Sequence, residues 1–447
     1  MEKKNRQSID LVNGPIIRTI LLFSVPLLIG NLFQQLYSTV DSYVVGNYVG
    51  KQALAAVGAS NPIVNALIGF FMGLATGAGV IISQYFGAQN HKNVKKAVHS
   101  AAAMTIVMSV ILTIMGIYFT PYLLKLVNVP ADIFVESTTY LGIYFSGLTF
   151  ILIYNMASGI LRAIGDSKRP LYYLIIASLI NIVLDVLFVK YFHMGVAGAG
   201  YATLISQAIS SILVTITLMN ETGSHKLILK DIRFHSDVLK KMLVVGLPTG
   251  LQQSMISLSN LGAQSYINAF GSNVVAGYSA SIRIDGFVFL PLQSFNMAIT
   301  TYVGQNLGAR KYERVKKGTL LTLLMGLAVI GVISLGLFFF GKEAISLFNS
   351  DTEVIKAGRT MQLIFLCAYW VLPFGQILAG VLRGAGKSTG PMIILIINYV
   401  IIRQTYLAIA TQFTSDVRFV FMAWPLTWIT NALMMGYCYL KTDLRKI

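Results

Sequence analysis

Long stretches without a single charge constrain this chain more than any other feature. Residues 101–119, 320–340 and 419–440 contain no Asp, Glu, Lys or Arg, and a membrane-crossing helix needs roughly 20 mostly apolar residues. Lys and Arg collect in the gaps between such runs. Reading the whole chain this way places spans near 16–46, 53–86, 97–120, 132–161, 171–190, 196–219, 238–270, 274–305, 318–340, 353–382, 391–412 and 418–440. The expected fold is therefore an all-α integral membrane protein with twelve transmembrane helices. Only 11% of the residues are charged and 55% are apolar, whereas a soluble domain carries about 25% charge.

The net charge of +17 would suit a polyanion if the chain were soluble. Its distribution argues otherwise. The basic residues gather at every second gap: Lys3 to Arg18, Lys92 to Lys96, Arg162 to Arg169, Lys226 to Lys241, Arg310 to Lys317, Arg383 with Lys387, and Lys441 to Lys446. That side holds 25 of the 34 basic residues. The positive-inside rule then puts both termini in the cytoplasm and the chain in the cell membrane, and no nucleic-acid partner is expected. The polar start runs into the first span without a small-residue cleavage site, which reads as a retained helix. Cys367 and Cys438 both lie in apolar stretches, so no disulfide framework or CxxC site is expected.

The chain is internally duplicated. At an offset of 221 residues, Gln84–Lys96 aligns with Gln305–Lys317, and Gly159–Pro170 with Gly380–Pro391, each with six identities. Each half holds six spans, an even number, so the halves are expected as parallel repeats around a central cavity. The boundaries read as a first lobe over 1–219, a cytoplasmic linker over 220–237 and a second lobe over 238–447. Gly384-Ala-Gly-Lys-Ser-Thr389 imitates the end of a nucleotide-binding loop. Val381 stands where that motif needs glycine and an apolar span replaces the preceding strand, so no nucleotide is expected. Energy must then come from an ion gradient.

Ionisable residues inside spans are costly and mark pathways. Few acids are present there: Asp41 in helix 1, Asp185 in helix 5 and Asp285 in helix 8 lie within spans, while Asp132, Glu136 and Glu353 sit near span starts. Asn181 lies four residues before Asp185, on the same helix face. Carboxylates with amide and hydroxyl oxygens suit Na+ or a proton, and Thr203 in helix 6 and Asn155 in helix 4 could add oxygens. The competing reading is that these groups glue helices together. Asp285, Gln34 and Gln253 are the candidates for substrate contact or gating. Arg359 and Arg403 read as interhelical anchors, and Gly69, Gly73 and Gly77 as a close-packing stripe. His193 reads as a loop residue. No metal-ligand set and no nucleophile with a base appears, so neither an enzyme nor a cofactor is expected beyond the coupling ion.

Phe23-Ser-Val-Pro26, Leu36 to Gly46, Ala53 to Gly58, Gln84 to Gly87, Leu161 to Asp166 with Pro170, and Asn181 to Asp185 together resemble the multidrug and toxic compound extrusion (MATE) transporters. The likeness covers nearly the whole chain. It implies a V-shaped pair of six-helix bundles in the bilayer, exporting amphipathic, often cationic drugs in exchange for Na+ or H+; the chain is expected to function as a monomer. In archaeal and related members the N-terminal lobe carries a cation site, which falls here on Asp41, Asn181, Asp185 and Thr203. Members with a C-terminal-lobe site place a glutamate in helix 7 and an aspartate in helix 10. Helix 7 here offers Gln252, Gln253 and Gln264, and helix 10 has no acid beyond Glu353 at its very start. The proline that usually follows the helix 11 arginine is missing after Arg403. Two other readings compete with it: a flippase for lipid-linked saccharides, which wants a basic groove, and a non-transporting sensor or scaffold, which wants a soluble domain.

Overall fold

A computed structural model describes residues 8–414 and 416–446, and among them every regular element is helical. Twelve helical segments run in order: α1 Ile16–Tyr48, α2 Lys51–Gly87, α3 His91–Leu126, α4 Ala131–Ser146 with Leu148–Ala163, α5 Lys168–Tyr191 and α6 Gly195–Asn220. The second series is α7 Ser236–Asn268, α8 Ser272–Gly308, α9 Tyr312–Ser346, α10 Thr352–Leu366 with Tyr369–Gly384, α11 Thr389–Phe413 and α12 Val417–Lys441. Eight are long and apolar enough to cross a membrane, and ten if the bent pairs of α4 and α10 each count as one span. The remaining two, α7 and α8, have 33 and 37 residues and carry more amide and hydroxyl side chains. Each segment coincides with a sequence span to within several residues. Apolar side chains stay outside as they must in lipid: in the apolar window of α9 only 17% of residues are buried, and Leu320, Leu324, Val332, Leu335 and Phe338 are exposed.

The repeat is written in the backbone as well as in the side chains. Gly50, Gln89 and Gly165 have positive φ, and so do Gly271, Arg310 and Gly386, each 221 residues later. Such angles are costly outside glycine, so their recurrence marks three equivalent turns. The bends recur too: α4 turns by 45° at Gly147 and α10 by 44° around Ala368, again at the same offset.

The chain packs as two compact units. One holds Val25–Gly250 with the described residues up to Asp10; the other holds Leu11–Ser24 and Leu251 onward. The two divisions that cut helices fall beside a proline inside the helix, Pro26 in α1 and Pro248 in α7. A proline interrupts the helix hydrogen-bond ladder and opposes the preceding turn. The first unit extends as far as Gly250 because α7 starts against α2. A methyl group built on Gly77 would lie 2.5 Å from Gly246 Cα, and one on Gly250 would lie 2.5 Å from the Phe70 carbonyl oxygen. Gly73 likewise faces Gly250. Glycines four apart on both helices let the two backbones touch.

In the first unit the core runs through Phe71, Ile82, Leu152 and Leu161, with a separate cluster of Val44, Val45, Tyr140 and Val189. In the second unit it is an aromatic box of Tyr278, Phe365, Tyr369, Trp424 and Trp428. Arg359 anchors α10 to α9 by donating to the Leu337 and Phe338 carbonyls at 2.7 and 2.6 Å.

Candidate functional site

The first unit buries its two membrane acids together. Asp41 is 7% exposed and Asp185 fully buried, so neither faces bulk water or the lipid side. Each lies within the other's electrostatic reach, and Tyr37 and Tyr140 feel both. Helices α1, α4 and α5 therefore converge on one point. α1 can bring Asp41 there because it lies along α5, where Gly30 approaches Leu171 and Leu174. On α5, Asn181 and Asp185 share a face at i and i+4. Immediately after Asp185 the helix switches to a π turn over Val186–Tyr191, an irregularity that recurs at functional sites.

Asn181 is 1% exposed, and its Nδ2 donates to Thr203 Oγ1 of α6 at 3.5 Å. That contact adds α6 to the group. Four buried oxygens there, Asp41 Oδ1, both carboxylate oxygens of Asp185 and Asn181 Oδ1, receive no hydrogen bond from the protein. Asn155 is half-buried on α4 and turns its amide nitrogen back to the Ile151 carbonyl at 2.9 Å, which leaves only its oxygen for a ligand. Gln34 is exposed, one turn of α1 before Tyr37. Gln34, Tyr37 and Asp41 thus form a polar line from the surface of α1 to the buried acid.

Tyr37 and Tyr140 were not expected. A signal existed for the first, since Tyr37 precedes Asp41 by one helical turn. Tyr140 comes from a distant segment and carries none. Among the described residues, no group of three or more His, Cys, Asp or Glu side chains gathers as a metal site. The donor set on offer is two carboxylates with amide and hydroxyl oxygens, the chemistry that hard cations and protons take.

The second unit has a different centre. Asp285 of α8 is buried and accepts a hydrogen bond from the Tyr369 hydroxyl of α10. Arg403 of α11 is 1% exposed, donates to Asn260 at 2.9 Å and Thr427 at 3.3 Å, and sits over the Tyr399 and Trp424 rings at 4.2 and 5.1 Å. A π turn, Ile397–Ile402, precedes it, so α11 departs from regular geometry without a proline. Arg283 is exposed and lies over Phe348 at 5.9 Å. Gln253 is exposed on α7.

A duplicated helical bundle crossing the membrane, with acids sealed inside one half, is the build of a polytopic membrane protein of the transporter type. The MatE family pattern matches residues 26–187 and 248–405, one stretch per repeat. The chain belongs to that family, the MATE transporters. It is 27% identical to the probable multidrug resistance protein YoeA of Bacillus subtilis, over 94% of this chain and 93% of that one. It is 30% identical to the probable multidrug resistance protein YpnP of the same organism, over 90% and 89%. A FAD transporter of Shewanella oneidensis is 25% identical over 96% and 95%. Among solved structures, a MATE protein in the bent conformation superposes with a TM-score of 0.89, 25% identity and coverage of 98% and 97%.

Proposed function

We propose that this protein is a cation-coupled antiporter that exports amphipathic, often cationic small molecules across the cell membrane by alternating access, with both termini cytoplasmic. It works as a monomer and takes Na+ or H+ as its coupling ion. The observation that carries this reading is the set of four buried oxygens without a donor at Asp41, Asn181 and Asp185. An unpaired carboxylate in a dry interior costs several kcal/mol, so these acids favour taking up a proton or a small cation. Thr203 Oγ1 and the Asn155 oxygen complete the donor set.

Coupling then needs a part that changes when the cation binds. α1 is suited to this: its segment up to Ser24 packs with the second unit and its remainder with the first. Pro26 at that junction lacks the amide proton that would tie it to the preceding turn. Binding at Asp41 neutralises the distal half of α1 and favours the conformation in which substrate affinity is low, so the substrate leaves outward. A cation shifts this equilibrium only by its differential affinity for the two states; a swing from 1:99 to 99:1 takes about 5.5 kcal/mol.

The multidrug names of the two Bacillus relatives support drug export. The FAD transporter among the relatives favours a second reading for cargo, an anionic amphipathic compound, on the same coupling site. Equilibrium binding tests the core of the proposal. Purified wild-type protein binds one coupling cation, as 22Na+ or as a proton counted by pH-stat, and Asp185→Asn loses it. Unchanged binding in that variant would remove the site.

A further inference from the structure

The structure points to a second site, outside the membrane, that no part of the export cycle uses. The linker from Glu221 to Asp237 is stapled onto the start of α3 through polar side chains. His99 donates from Nδ1 to the Lys95 carbonyl at 2.7 Å and accepts the Ile228 amide at 3.1 Å on Nε2. Ser100 Oγ accepts the His235 amide at 3.0 Å, and His91 meets Ser224 at 3.2 Å. At the linker's start, Arg169 holds Glu221, which also meets His225 at 3.2 Å.

These staples leave a cavity of about 510 Å³ walled by Lys92, Lys95, Lys96 and Arg233, with His91 and His235 beside them. The charges there are unbalanced. Asp231 pairs with Lys95 at 2.7 Å and Asp237 with Lys96 at 3.2 Å. Among the described residues, neither Lys92 nor Arg233 has a carboxylate within 4 Å. Arg233 rests its Nε on His235 Nε2 at 3.4 Å, so its remaining guanidinium donors and the Lys92 ammonium are two cations without an ion pair on one cavity, and they match a phosphate group, whose oxygens accept several charge-assisted hydrogen bonds.

The chain flanking the lining residues Asp231, Arg233 and His235 says which phosphate. Ile228, Leu229 and Phe234 of the same linker are 36%, 57% and 47% exposed, although nothing in a water-facing loop requires three large apolar side chains outside. Apolar side chains beside clustered bases are how a segment seats itself in the headgroup layer of an anionic membrane. We propose that this cavity binds the phosphate of an anionic phospholipid headgroup, with the three apolar side chains entering the lipid beside it. The site ties the linker between the repeats to the membrane surface.

The test uses the full-length protein in detergent, titrated with dioleoyl-phosphatidylglycerol, dioleoyl-phosphatidylcholine or inorganic phosphate and read by native mass spectrometry. Hydrogen exchange across residues 224–235 is followed in parallel. Wild type binds the glycerol lipid at least tenfold more tightly than the choline lipid and gains linker protection. The double variant Lys92→Gln/Arg233→Gln loses both, while Lys387→Gln, which removes one exposed charge elsewhere, keeps both. Protection of wild type but not of the double variant by inorganic phosphate alone would support the phosphate chemistry and overturn the lipid source. Equal lipid binding and equal protection in wild type and double variant would overturn the site altogether.

Discussion

The contact between α2 and α7 offers a test whose size follows from geometry. Gly77→Ala adds one methyl group, which would lie 2.5 Å from Gly246 Cα and backbone nitrogen and 2.6 Å from the Met242 carbonyl oxygen. Ordinary contact begins near 3.4 Å, so the two helices must part by about 0.9 Å. The opposing atoms are all backbone and cannot swing away, which separates this site from one facing a flexible side chain. Overpacking of this kind costs about 1–3 kcal/mol, against a helix-propensity gain of no more than about 1 kcal/mol for Gly to Ala. Gly58→Ala on the same helix is the matched control, since no atom lies within 4 Å of the added methyl; it keeps the propensity gain and pays no clash. Both variants are purified in one detergent and unfolded by heat, with tryptophan fluorescence and monodispersity as readouts. Gly77→Ala should unfold well below wild type and Gly58→Ala at or above it. Equal unfolding of the two variants would show that α2 and α7 do not touch as described.

The linker staple should be sensitive to mild acid. Burial first, then the charges of Arg233 and Lys96, hold the His235 imidazole below its ordinary value near 6.5, with Asp237 opposing. A group depressed in the folded state leaves stability intact above its free value and removes it as pH falls through the folded one. Protease protection of residues 224–235 should therefore be full at pH 8 and decline below about 6.5; protection constant down to pH 5 would contradict the staple. In the second unit, Tyr369→Phe removes the hydroxyl that satisfies buried Asp285 and should lower stability by about 1–3 kcal/mol. Adding Asp285→Leu should recover part of that loss, and additive losses in a double-mutant cycle would mean the two do not interact.

Much of the fold could be read from residue order because a bilayer allows few solutions. A span needs length and apolarity and little else, so edges such as Ile16, Gly195 and Lys441 fell within a few residues of expectation. The duplication was visible because Gly165 and Gly386 must adopt positive φ, a demand that keeps glycine in place. The divisions at Pro26 and Pro248 were not legible, since which helix half packs with which unit depends on crossing contacts such as Gly77 on Gly246. Asp41, Asn181 and Asp185 stood out as polar groups where polar groups are expensive. Tyr37 and Tyr140 did not, because a tyrosine in a membrane helix is ordinary until a neighbour makes it otherwise. Asp285 was equally conspicuous, yet only the Tyr369 hydroxyl shows what it pairs with.

Whether the buried oxygens of the first unit drive export is answered most directly by transport in inside-out vesicles. A fluorescent amphipathic cation is offered while a Na+ or a proton gradient is imposed separately. Wild type should accumulate the dye under one of the two gradients, and Asp41→Asn and Asp185→Asn, inserted at wild-type levels, should fall to the rate of empty vesicles. Gradient-driven accumulation by either variant at the wild-type rate would contradict the account.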